Sequence, residues 1–521
     1  MVKPSKSAVL YSRRSGNNWY RVKTGEVPNI EIQENKIPVL SKEKSYKYLG
    51  KSVSLVGEDY NQINEMVKEY TELIDKIKVS KLPVNLKINA INNMALSKIL
   101  HNFYNSRIKE EDLIYMDKHL VEAVREMYGL FKSTTQAVIF IPREEGGLGV
   151  RKISYTYYST RISFLIKMLN HSVEQFQMQA RLSLELDMKK RGVKISGEEE
   201  TFLGYELNDK GYLKCNTKFG CQSDWPDLTR YCRISGTKLI FENNVAKVII
   251  NGERVDYSPT LQKQIYKCFI NKELEKSNEL SLQGSFLGLK NILIKSSHSL
   301  LYNWSVNDEL VKFTVKARLN ILPTNFTTHI WNPENNPLCP FGCEHTESIA
   351  HLLNGCFPTF KNYYSRRHNR IMNKISEYIC NTRNDITVYI DKFSDTIFPN
   401  IKEQLIRIEH RRPDIIVLHN RHQVNIIEVT VCYDLYLDTA YDAKVTKYQE
   451  LIGCLRKNGL EANLHVICFG SLGCIRKNAW NILKTFNEDK TTIKELLKWC
   501  SISAVIGSNY IWRHRIKKLT G

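Results

Sequence analysis

The spacing of apolar residues changes along the chain and divides it into segments of different predicted structure. Up to about residue 55, short runs such as "SAVLYS", "NWYRVKT" and "NIEIQ" predict β-strands. From Tyr60, apolar residues recur three or four positions apart in "YNQINEMVKEYTELIDKIKVS", which predicts a helix, and "LPVNLKINAINNMALSKILHNFYNSRI" continues the pattern after a proline. We expect a helical bundle that extends to about residue 190.

Turn signals and a polar stretch mark the middle of the chain. "FIPREEGGLGVRKIS" predicts a turn, because Gly146 and Gly147 suit backbone conformations that other residues avoid. The composition becomes polar between about residues 200 and 290, where "TKLIFENNVAKVIINGERVDY" predicts a small hairpin with Asn251 and Gly252 in the turn. The helical pattern resumes in "HSLLYNWSVNDELVKFTVKARLNIL" and stops at Pro323.

Two strand-like runs in "RRPDIIVLHNRHQVNIIEVTV" each carry one acid in an otherwise apolar stretch. They are Asp414 in "DIIVL" and Glu428 in "VNIIEVTV", and the polar connection "HNRHQ" predicts that the two strands are adjacent and antiparallel. On such a hairpin the two acids can face each other, and like charges in an apolar sheet repel unless a cation lies between them. Mg²⁺ or Mn²⁺ is the simplest candidate, because both prefer carboxylate oxygen.

The segment after these strands supplies a positive charge. "LDTAYDAKVTKYQELIGCLRKNG" predicts a helix with Lys444 and Lys447 on one face, and the strand "NLHVICFG" and the helix "CIRKNAWNILKTF" follow. Two acids on neighbouring strands with a lysine beside them predict a metal-dependent phosphodiesterase site, in which the cation activates water and the lysine stabilises charge on the phosphate. The alternative is that either acid lies in solvent at a strand edge.

A compact group of cysteines and histidines predicts a structural zinc site. "CPFGCEHTESIAHLLNGC" has the spacing C-x3-C-x7-H-x4-C, which brings together Cys339, Cys343, His351 and Cys356. Thiolate and imidazole are the ligands that Zn²⁺ prefers, and four protein ligands leave no position for a catalytic water. His345 competes as a ligand, but it lies so soon after Cys343 that His351 is preferred. The alternative is a set of core cysteines with a chance histidine.

The charge of the chain favours a polyanionic partner. Lys and Arg exceed Asp and Glu by 75 − 55 = 20, and aromatic residues are scattered among the basic ones, a balance typical of nucleic-acid binding; a merely solubilising basic surface is the alternative. Downstream of the cysteines, "YYSRRHNRIMNKI" predicts a phosphate-contacting helix, although a solvated helix face would have the same pattern. Its candidate residues are Arg366, Arg367, His368 and Arg370.

Targeting signals and disulfide patterns are missing from the sequence. There is no run of about twenty apolar residues, and the N-terminus lacks the apolar core of a signal peptide. Thirteen cysteines in 521 residues are too few for a secreted disulfide scaffold. We therefore expect an intracellular protein without a membrane partner, whose cysteines are thiols or metal ligands.

These motifs together resemble the C-terminal part of the polyprotein of non-LTR, LINE-type retrotransposons that carry a restriction-like endonuclease. "CPFGC…HLLNGC" followed by "RRHN" is similar to the zinc knuckle of that family, and "RPD…EVTV…AKVTKY" to its nuclease. "VKPSKSAVL" and "YKYLG" resemble the polymerase palm after its catalytic aspartates. "SDWPDL", "QGSF" and "ARLNILPT" resemble connector landmarks.

The resemblance implies a multidomain α+β chain with a mostly helical thumb and connector, a small CCHC zinc knuckle and a C-terminal α/β PD-(D/E)xK restriction-like nuclease domain. The implied boundaries are 1–55 for a palm remnant, 56–195 for the thumb, 196–300 for a connector with a hairpin, 301–398 for a helical linker with the knuckle, and 399–521 for the endonuclease.

The resemblance also implies roles for individual residues. Asp414 and Glu428 would bind the metal, Lys447 or Lys444 would be the catalytic lysine, with Lys447 preferred, and Arg412 and Tyr448 would support them. Thr430 stands where the wider PD-(D/E)xK pattern has its lysine. The retrotransposon branch takes this lysine from the following helix, so the departure fits the family and leaves the choice of lysine open.

The expected activity is Mg²⁺- or Mn²⁺-dependent nicking of target DNA in the nucleus during target-primed reverse transcription, with element RNA as a second partner. No polymerase aspartate pair precedes the thumb, so we expect a truncated chain whose reverse transcriptase activity exists only in a full-length parent. The alternatives are a non-catalytic, domesticated nucleic-acid-binding protein and, less favoured because of the thumb-like half, a repair nuclease.

Overall fold

The structure is a computed structural model that describes residues 60–190 and 224–520, apart from 243–244, 383–384 and 421, together with short stretches between residues 9 and 53. Much of the predicted palm remnant, and residues 191–223 of the predicted thumb and connector, lie outside the described residues. None of the described helices is both long enough and apolar enough to cross a membrane.

The first described stretches contain eight short strands. They are β1 (Val9–Leu10), β2 (Arg13–Ser15), β3 (Asn18–Tyr20), β4 (Glu31–Ile32), β5 (Asn35–Lys36), β6 (Val39–Leu40), β7 (Tyr46–Tyr48) and β8 (Lys51–Val53). Strand β1 runs parallel to β6, and the pairs β2–β3, β4–β5 and β7–β8 are antiparallel.

Helices follow from residue 60, as the spacing of apolar residues predicts. They are α1 (Tyr60–Val79), α2 (Val84–Ala90), a π-helical turn (Ile91–Ala95), α3 (Leu96–Asn105), α4 (Glu110–Tyr128), α5 (Ala137–Phe140), a 3₁₀ turn (Arg143–Glu145), α6 (Ile153–Leu169), α7 (Glu174–Lys190) and α8 (Asp224–Ser235). The antiparallel strands β9 (Lys238–Glu242), β10 (Val245–Ile250) and β11 (Glu253–Val255) come next and precede α9 (Leu261–Asn278).

The C-terminal half combines helices with one larger sheet. Its helices are α10 (Ile294–Ser297), α11 (Ser299–Tyr302), α12 (Asp308–Arg318), α13 (Asn325–Trp331), α14 (Ile349–Asn354), α15 (Phe357–Cys380), α16 (Ser394–Ile397), α17 (Lys402–Ile406), α18 (Leu437–Lys457), α19 (Asn478–Lys484) and α20 (Lys490–Thr520), with 3₁₀ turns at Pro399–Ile401 and Asp434–Tyr436. Its strands are β12 (Ile386–Ile390), β13 (Ile415–His419), β14 (Gln423–Cys432) and β15 (Glu461–Gly470).

The chain forms two compact units, each built from separate stretches. The first comprises residues 1–80, 89–123 and 151–272, and the second comprises 81–88, 124–150 and 273–521. The bounds of the five domains inferred from the sequence remain predictions.

Helix α6 is the central helix of the first unit. Most of its residues are buried, and the buried Ser159 and Thr160 satisfy their hydroxyls by donating hydrogen bonds to the Thr156 carbonyl within the helix. The carboxylate of Asp117 accepts a hydrogen bond from the Ile153 amide at 2.8 Å and satisfies the first turn of the helix. In the neighbouring sheet, Asn251 and Gly252 both have positive φ between β10 and β11, so the predicted hairpin turn is confirmed.

The predicted glycine turn lies in the second unit and is confirmed. Gly146 has φ of 88°, in the left-handed region that favours glycine. A Cβ atom on Gly147 would lie 2.2 Å from the carbonyl oxygen of Ile141, so the backbone approach itself excludes any side chain there.

The four-stranded sheet of the second unit has the order β12-β13-β14-β15. The pairs β12–β13 and β13–β14 are antiparallel, whereas β14 and β15 are parallel and are connected through α18. Helices α15, α19 and α20 pack on one face of the sheet against residues such as Ile415, Ile427 and Val429. Helices α17 and α18 cover the other face, which presents Ile416 and Ile426. Because both faces are covered, the strands are nearly continuous apolar runs, and a charged residue within them is exceptional.

Candidate functional site

Two carboxylates lie side by side at one end of the β13–β14 pair. Ile415 pairs with Ile427, so Asp414, one residue earlier, stands opposite Glu428. The Asp414 amide donates a hydrogen bond to Glu428 Oε2 at 3.3 Å, and the Val429 amide donates one to Asp414 Oδ2 at 2.8 Å. The hairpin therefore brings together the two acids that the sequence singles out.

Lys444 supplies the positive charge beside this pair. It lies on α18, which packs on the same face of the sheet as Glu428, and its ammonium group donates a hydrogen bond to Glu428 Oε1. Glu428 is only 2% exposed, and burial together with the charge of Asp414 raises the pKa of its carboxyl group, while Lys444 opposes this effect. A buried acid beside a second acid is an environment that a further cation would stabilise.

The other candidate lysine contacts a different group. The Lys447 ammonium lies 5.0 Å from the centroid of the Tyr448 ring, a cation–π contact. The sequence leads us to prefer Lys447 as the catalytic lysine, but it is the Lys444 ammonium that contacts Glu428. The choice between the two lysines stays a prediction.

The two predicted supporting residues flank the acids. Tyr448 is buried, its hydroxyl donates a hydrogen bond to the Arg412 carbonyl at 3.4 Å, and burial together with the Glu428 charge raises its pKa. The guanidinium of Arg412 donates a hydrogen bond to Asp391 Oδ2 at 2.8 Å and lies over the ring of Phe393. Arg412 thus contacts the site through its backbone.

His368 belongs to this cluster, although the sequence placed it among the phosphate-contacting residues. It comes from α15 on the opposite face of the sheet, and its Nε2 lies 3.2 Å from Asp414 Oδ2 and 2.9 Å from the Val429 carbonyl oxygen. Burial lowers the pKa of the imidazole, but the hydrogen bond and the charge of Asp414 outweigh it and raise the pKa to about 9. No signal in the sequence indicates this contact, because 46 residues separate His368 from Asp414.

The three arginines of the same helix have different environments. Arg366 and Arg370 are exposed, and Arg370 lies over the Trp499 ring. Arg367 is buried and donates to Ser508 Oγ, to the Leu353 carbonyl and to Asn354 Oδ1 at 2.8–3.0 Å. The prediction of phosphate contact is therefore corrected for Arg367, whose guanidinium binds α14 to α20. For Arg366 and Arg370 it stays a prediction.

The four cysteine and histidine side chains predicted to bind zinc form one cluster. The Sγ atoms of Cys339, Cys343 and Cys356 and one ring nitrogen of His351 all lie within 4.8 Å of one another. The cluster contains His351 and not the competing His345, which is exposed, and the choice of His351 as the ligand stays a prediction. These residues could hold one tetrahedral zinc ion.

The environment of the cluster fits a cation with soft ligands. The Nε2 atom of His351 is buried without a hydrogen-bond partner, which is costly unless an ion accepts its lone pair. Burial and the neighbouring thiols raise the pKa of Cys339 and Cys356. Three thiolates this close together repel one another, and Zn²⁺ supplies the charge that stabilises them.

A buried ion pair attaches the cysteine–histidine cluster to the C-terminal helix. Glu347, between the ligands in sequence, is fully buried and accepts two hydrogen bonds from the Arg515 guanidinium of α20 at 2.6 and 2.7 Å. The Asn325 amide at the start of α13 donates a third at 2.7 Å. Arg515 is itself only 5% exposed, so both charges depend on each other.

Comparison with known proteins reveals one distant relationship that covers most of the chain. Over 416 residues, the chain is 20% identical to the "Retrovirus-related Pol polyprotein from type-1 retrotransposable element R2" of Popillia japonica, and the match spans 80% of this chain and 69% of that protein. No protein-family model matches the chain. The chain is therefore a distant relative of a retrotransposon Pol polyprotein, which supports its relation to non-LTR retrotransposons.

Proposed function

We propose that the chain acts in retrotransposition and that its C-terminal α/β region nicks target DNA in the nucleus with the help of a divalent cation. The observation that carries the proposal is the contact of Asp414, Glu428 and Lys444 at one end of the β13–β14 pair. The distant similarity to a retrotransposon Pol polyprotein supports it, and the sheet with helices on both faces is compatible with a restriction-like nuclease.

Asp414 and Glu428 would hold the cation, and each residue of the cluster has a separate task. A bound Mg²⁺ or Mn²⁺ neutralises charge on a phosphodiester and lowers the pKa of water. Lys444 would stabilise the charge that develops on the phosphate, and its bond to Glu428 keeps the ammonium at the site before DNA arrives. Tyr448 would hold the start of β13 in place through the Arg412 carbonyl.

The remaining features support binding to DNA and to element RNA. The net charge of +20 and the exposed Arg366 and Arg370 suit phosphate contacts, and the cysteine–histidine cluster would be a structural zinc knuckle.

The test is nicking of a supercoiled plasmid in the presence of Mg²⁺ or Mn²⁺. Asp414→Asn and Glu428→Gln should abolish relaxation while DNA affinity remains close to that of the wild type. Lys444→Met should slow nicking by roughly a hundredfold or more, because one charge-stabilising group is lost. Lys447→Met is the matched control on the same helix and should have a much smaller effect, since its ammonium lies over Tyr448.

Two outcomes contradict the proposal in different ways. Nicking that persists in Asp414→Asn means that the active site lies elsewhere. A wild-type chain that binds DNA tightly but never nicks it favours the alternative function, a non-catalytic nucleic-acid-binding protein, for which the net charge of +20 is the supporting observation.

A further inference from the structure

We propose that a groove on the second unit binds an unpaired nucleotide of single-stranded nucleic acid, by stacking on its base and by contact with its phosphate. The groove has a volume of about 670 Å³, which is within the range of cavities that hold small ligands. Its lining includes Glu144, Lys295, Ser299, Tyr302, Trp304 and Lys498. The proposal goes beyond the nicking of DNA, because this lining contains neither Asp414 nor Glu428.

Two aromatic residues form an exposed surface in the groove. Trp304 is 63% exposed and Tyr302 is 41% exposed, which are large fractions for aromatic residues. An aromatic ring with an open face can stack on a base, and such stacking adds to affinity whatever the base is. The bases of a duplex are already stacked on one another, so an unpaired base is the ligand that fits this surface.

The backbone that carries the two rings is held from the interior of the unit. The side-chain amide of the buried Asn85 donates hydrogen bonds to the Leu300 carbonyl at 3.0 Å and to the Asn303 carbonyl at 3.2 Å, on either side of Tyr302. The Arg143 guanidinium lies 5.7 Å from the centroid of the Tyr302 ring and supports it. A surface that is ordered before the ligand arrives loses little conformational entropy on binding.

The charges around the rings favour an anionic ligand. Lys295 on α10 and Lys498 on α20 are both exposed, and their long side chains can reach a phosphate. Glu144 is the acid of the lining, and its carboxylate is hydrogen-bonded to the Tyr302 hydroxyl. Two lysines and one carboxylate leave a charge of 2 − 1 = +1 beside the rings. Positive charge next to aromatic rings is typical of grooves that bind single strands.

A buried hydroxyl in the lining also indicates a ligand. Ser299 is only 5% exposed, and within the described part of the chain its Oγ has no hydrogen-bond partner. An unpartnered buried hydroxyl is costly, and a phosphate oxygen or the edge of a base would satisfy it. Ser299→Ala should therefore weaken binding without lowering the melting temperature, because the free chain has no hydrogen bond to lose there.

The experiment uses the full chain with its cysteine–histidine cluster loaded with zinc, and without Mg²⁺ or Mn²⁺, so that no strand is cut. The probe is a fluorescent oligothymidylate of about ten nucleotides, a length within the range that single-strand grooves cover. Fluorescence anisotropy gives its affinity, and an oligouridylate of the same length tells whether DNA or RNA is preferred. In a second probe, 5-iodouracil replaces one base and forms photocrosslinks to aromatic rings stacked on it, which mass spectrometry locates.

The loss of one stacked base determines the expected result for the aromatic residues. Trp304→Ala should weaken oligothymidylate binding by about fivefold to a hundredfold, and Trp304→Phe should retain most of the affinity because it keeps an aromatic face. Trp331→Ala is the control, since Trp331 is 49% exposed and lies outside the lining, and its affinity should stay close to that of the wild type.

The salt dependence of binding tests the two lysines. Lys295→Met and Lys498→Met should each reduce the slope of log affinity against log salt concentration by about 0.7, the value for one phosphate contact on a single strand. Lys517→Met, in the last turn of the same helix α20 as Lys498, is the control and should leave the slope unchanged.

The crosslinks decide where the strand lies. Crosslinks at Tyr302 or Trp304 that a duplex of the same sequence does not form uphold the inference. Crosslinks confined to other parts of the chain, or a Trp304→Ala variant that binds like the wild type, overturn it, and the surface is then left to a protein partner. Plasmid nicking is scored separately: crosslinks in the groove without nicking uphold the groove and refute the nuclease proposal, whereas nicking without them does the reverse.

Discussion

The Glu347–Arg515 pair predicts a large and local loss of stability when one charge is removed. Both groups are buried, and the carboxylate accepts two hydrogen bonds from the guanidinium and one from the Asn325 amide. Glu347→Gln leaves a positive charge in the interior without its counter-ion. Breaking such a pair from one side costs about 3–5 kcal/mol.

The chain itself supplies a matched control two residues away on the same helix. Arg513 pairs with Glu309, but the side chains of these two residues are 51% and 68% exposed. Water solvates both charges there, so Glu309→Gln should cost no more than about 1 kcal/mol.

Hydrogen exchange measured by mass spectrometry is the suitable assay, because it reports local opening in a chain with more than one unit. At 1.4 kcal/mol per factor of ten, Glu347→Gln should reduce protection of amides around residues 339–356 and 509–518 by roughly a hundredfold to a few thousandfold. Glu309→Gln should reduce it by about fivefold or less. Equal effects of the two variants, or a loss below tenfold in Glu347→Gln, would refute the reasoning from burial.

A double variant separates the ion pair from the volume it fills. Glu347→Leu with Arg515→Met replaces both charges by apolar groups of similar size, and such replacements are often close to neutral. Protection should recover to well above that of Glu347→Gln. A double variant that is less protected than the single one would mean that the hydrogen bond to Asn325, and not the charge balance, stabilises this region.

Three further predictions concern the metal cluster, a glycine contact and nucleic-acid binding. The purified chain should contain about one equivalent of zinc by elemental analysis, and Cys343→Ser should lose it. Cys380 is an exposed cysteine outside the cluster, so Cys380→Ser should retain the zinc. Zinc retained in Cys343→Ser would contradict the assignment. Gly470→Ala should lower the melting temperature by several degrees or prevent folding, because the new Cβ would lie 2.0 Å from Asp434 Oδ1. Gly453→Ala is the control and should be neutral or stabilising, because no atom lies within 4 Å of its Cβ. Similar melting curves for the two variants would refute the contact. DNA affinity, measured by fluorescence anisotropy, should fall steeply between low and physiological salt through counterion release, and a flat response would count against phosphate binding.

Local features of the candidate sites could be predicted from the sequence, because neighbouring residues determine them. The cysteine and histidine ligands span only 18 residues, so a short turn and one helix bring them together whatever the rest of the chain does. The same holds for Asp414 and Glu428. The short connection between the two apolar runs predicts that they pair as antiparallel strands. In the observed register Ile415 pairs with Ile427, which sets the two acids opposite each other.

Contacts between distant elements required the tertiary structure. Arg367 and His368 are adjacent in sequence, but one is buried against α20 and the other reaches Asp414, because the rotation of α15 is set by the side chains that it packs against the sheet. Lys444 and Lys447 share one face of α18 in the sequence pattern. Lys444 reaches Glu428 because of the way in which α18 packs on the sheet. This packing involves Leu451 and Leu455 of the helix and residues from β13, β14 and β15 together. Helical periodicity defines a face to within a turn, whereas a contact with a carboxylate needs the position to within an ångström, and only the assembled core provides it.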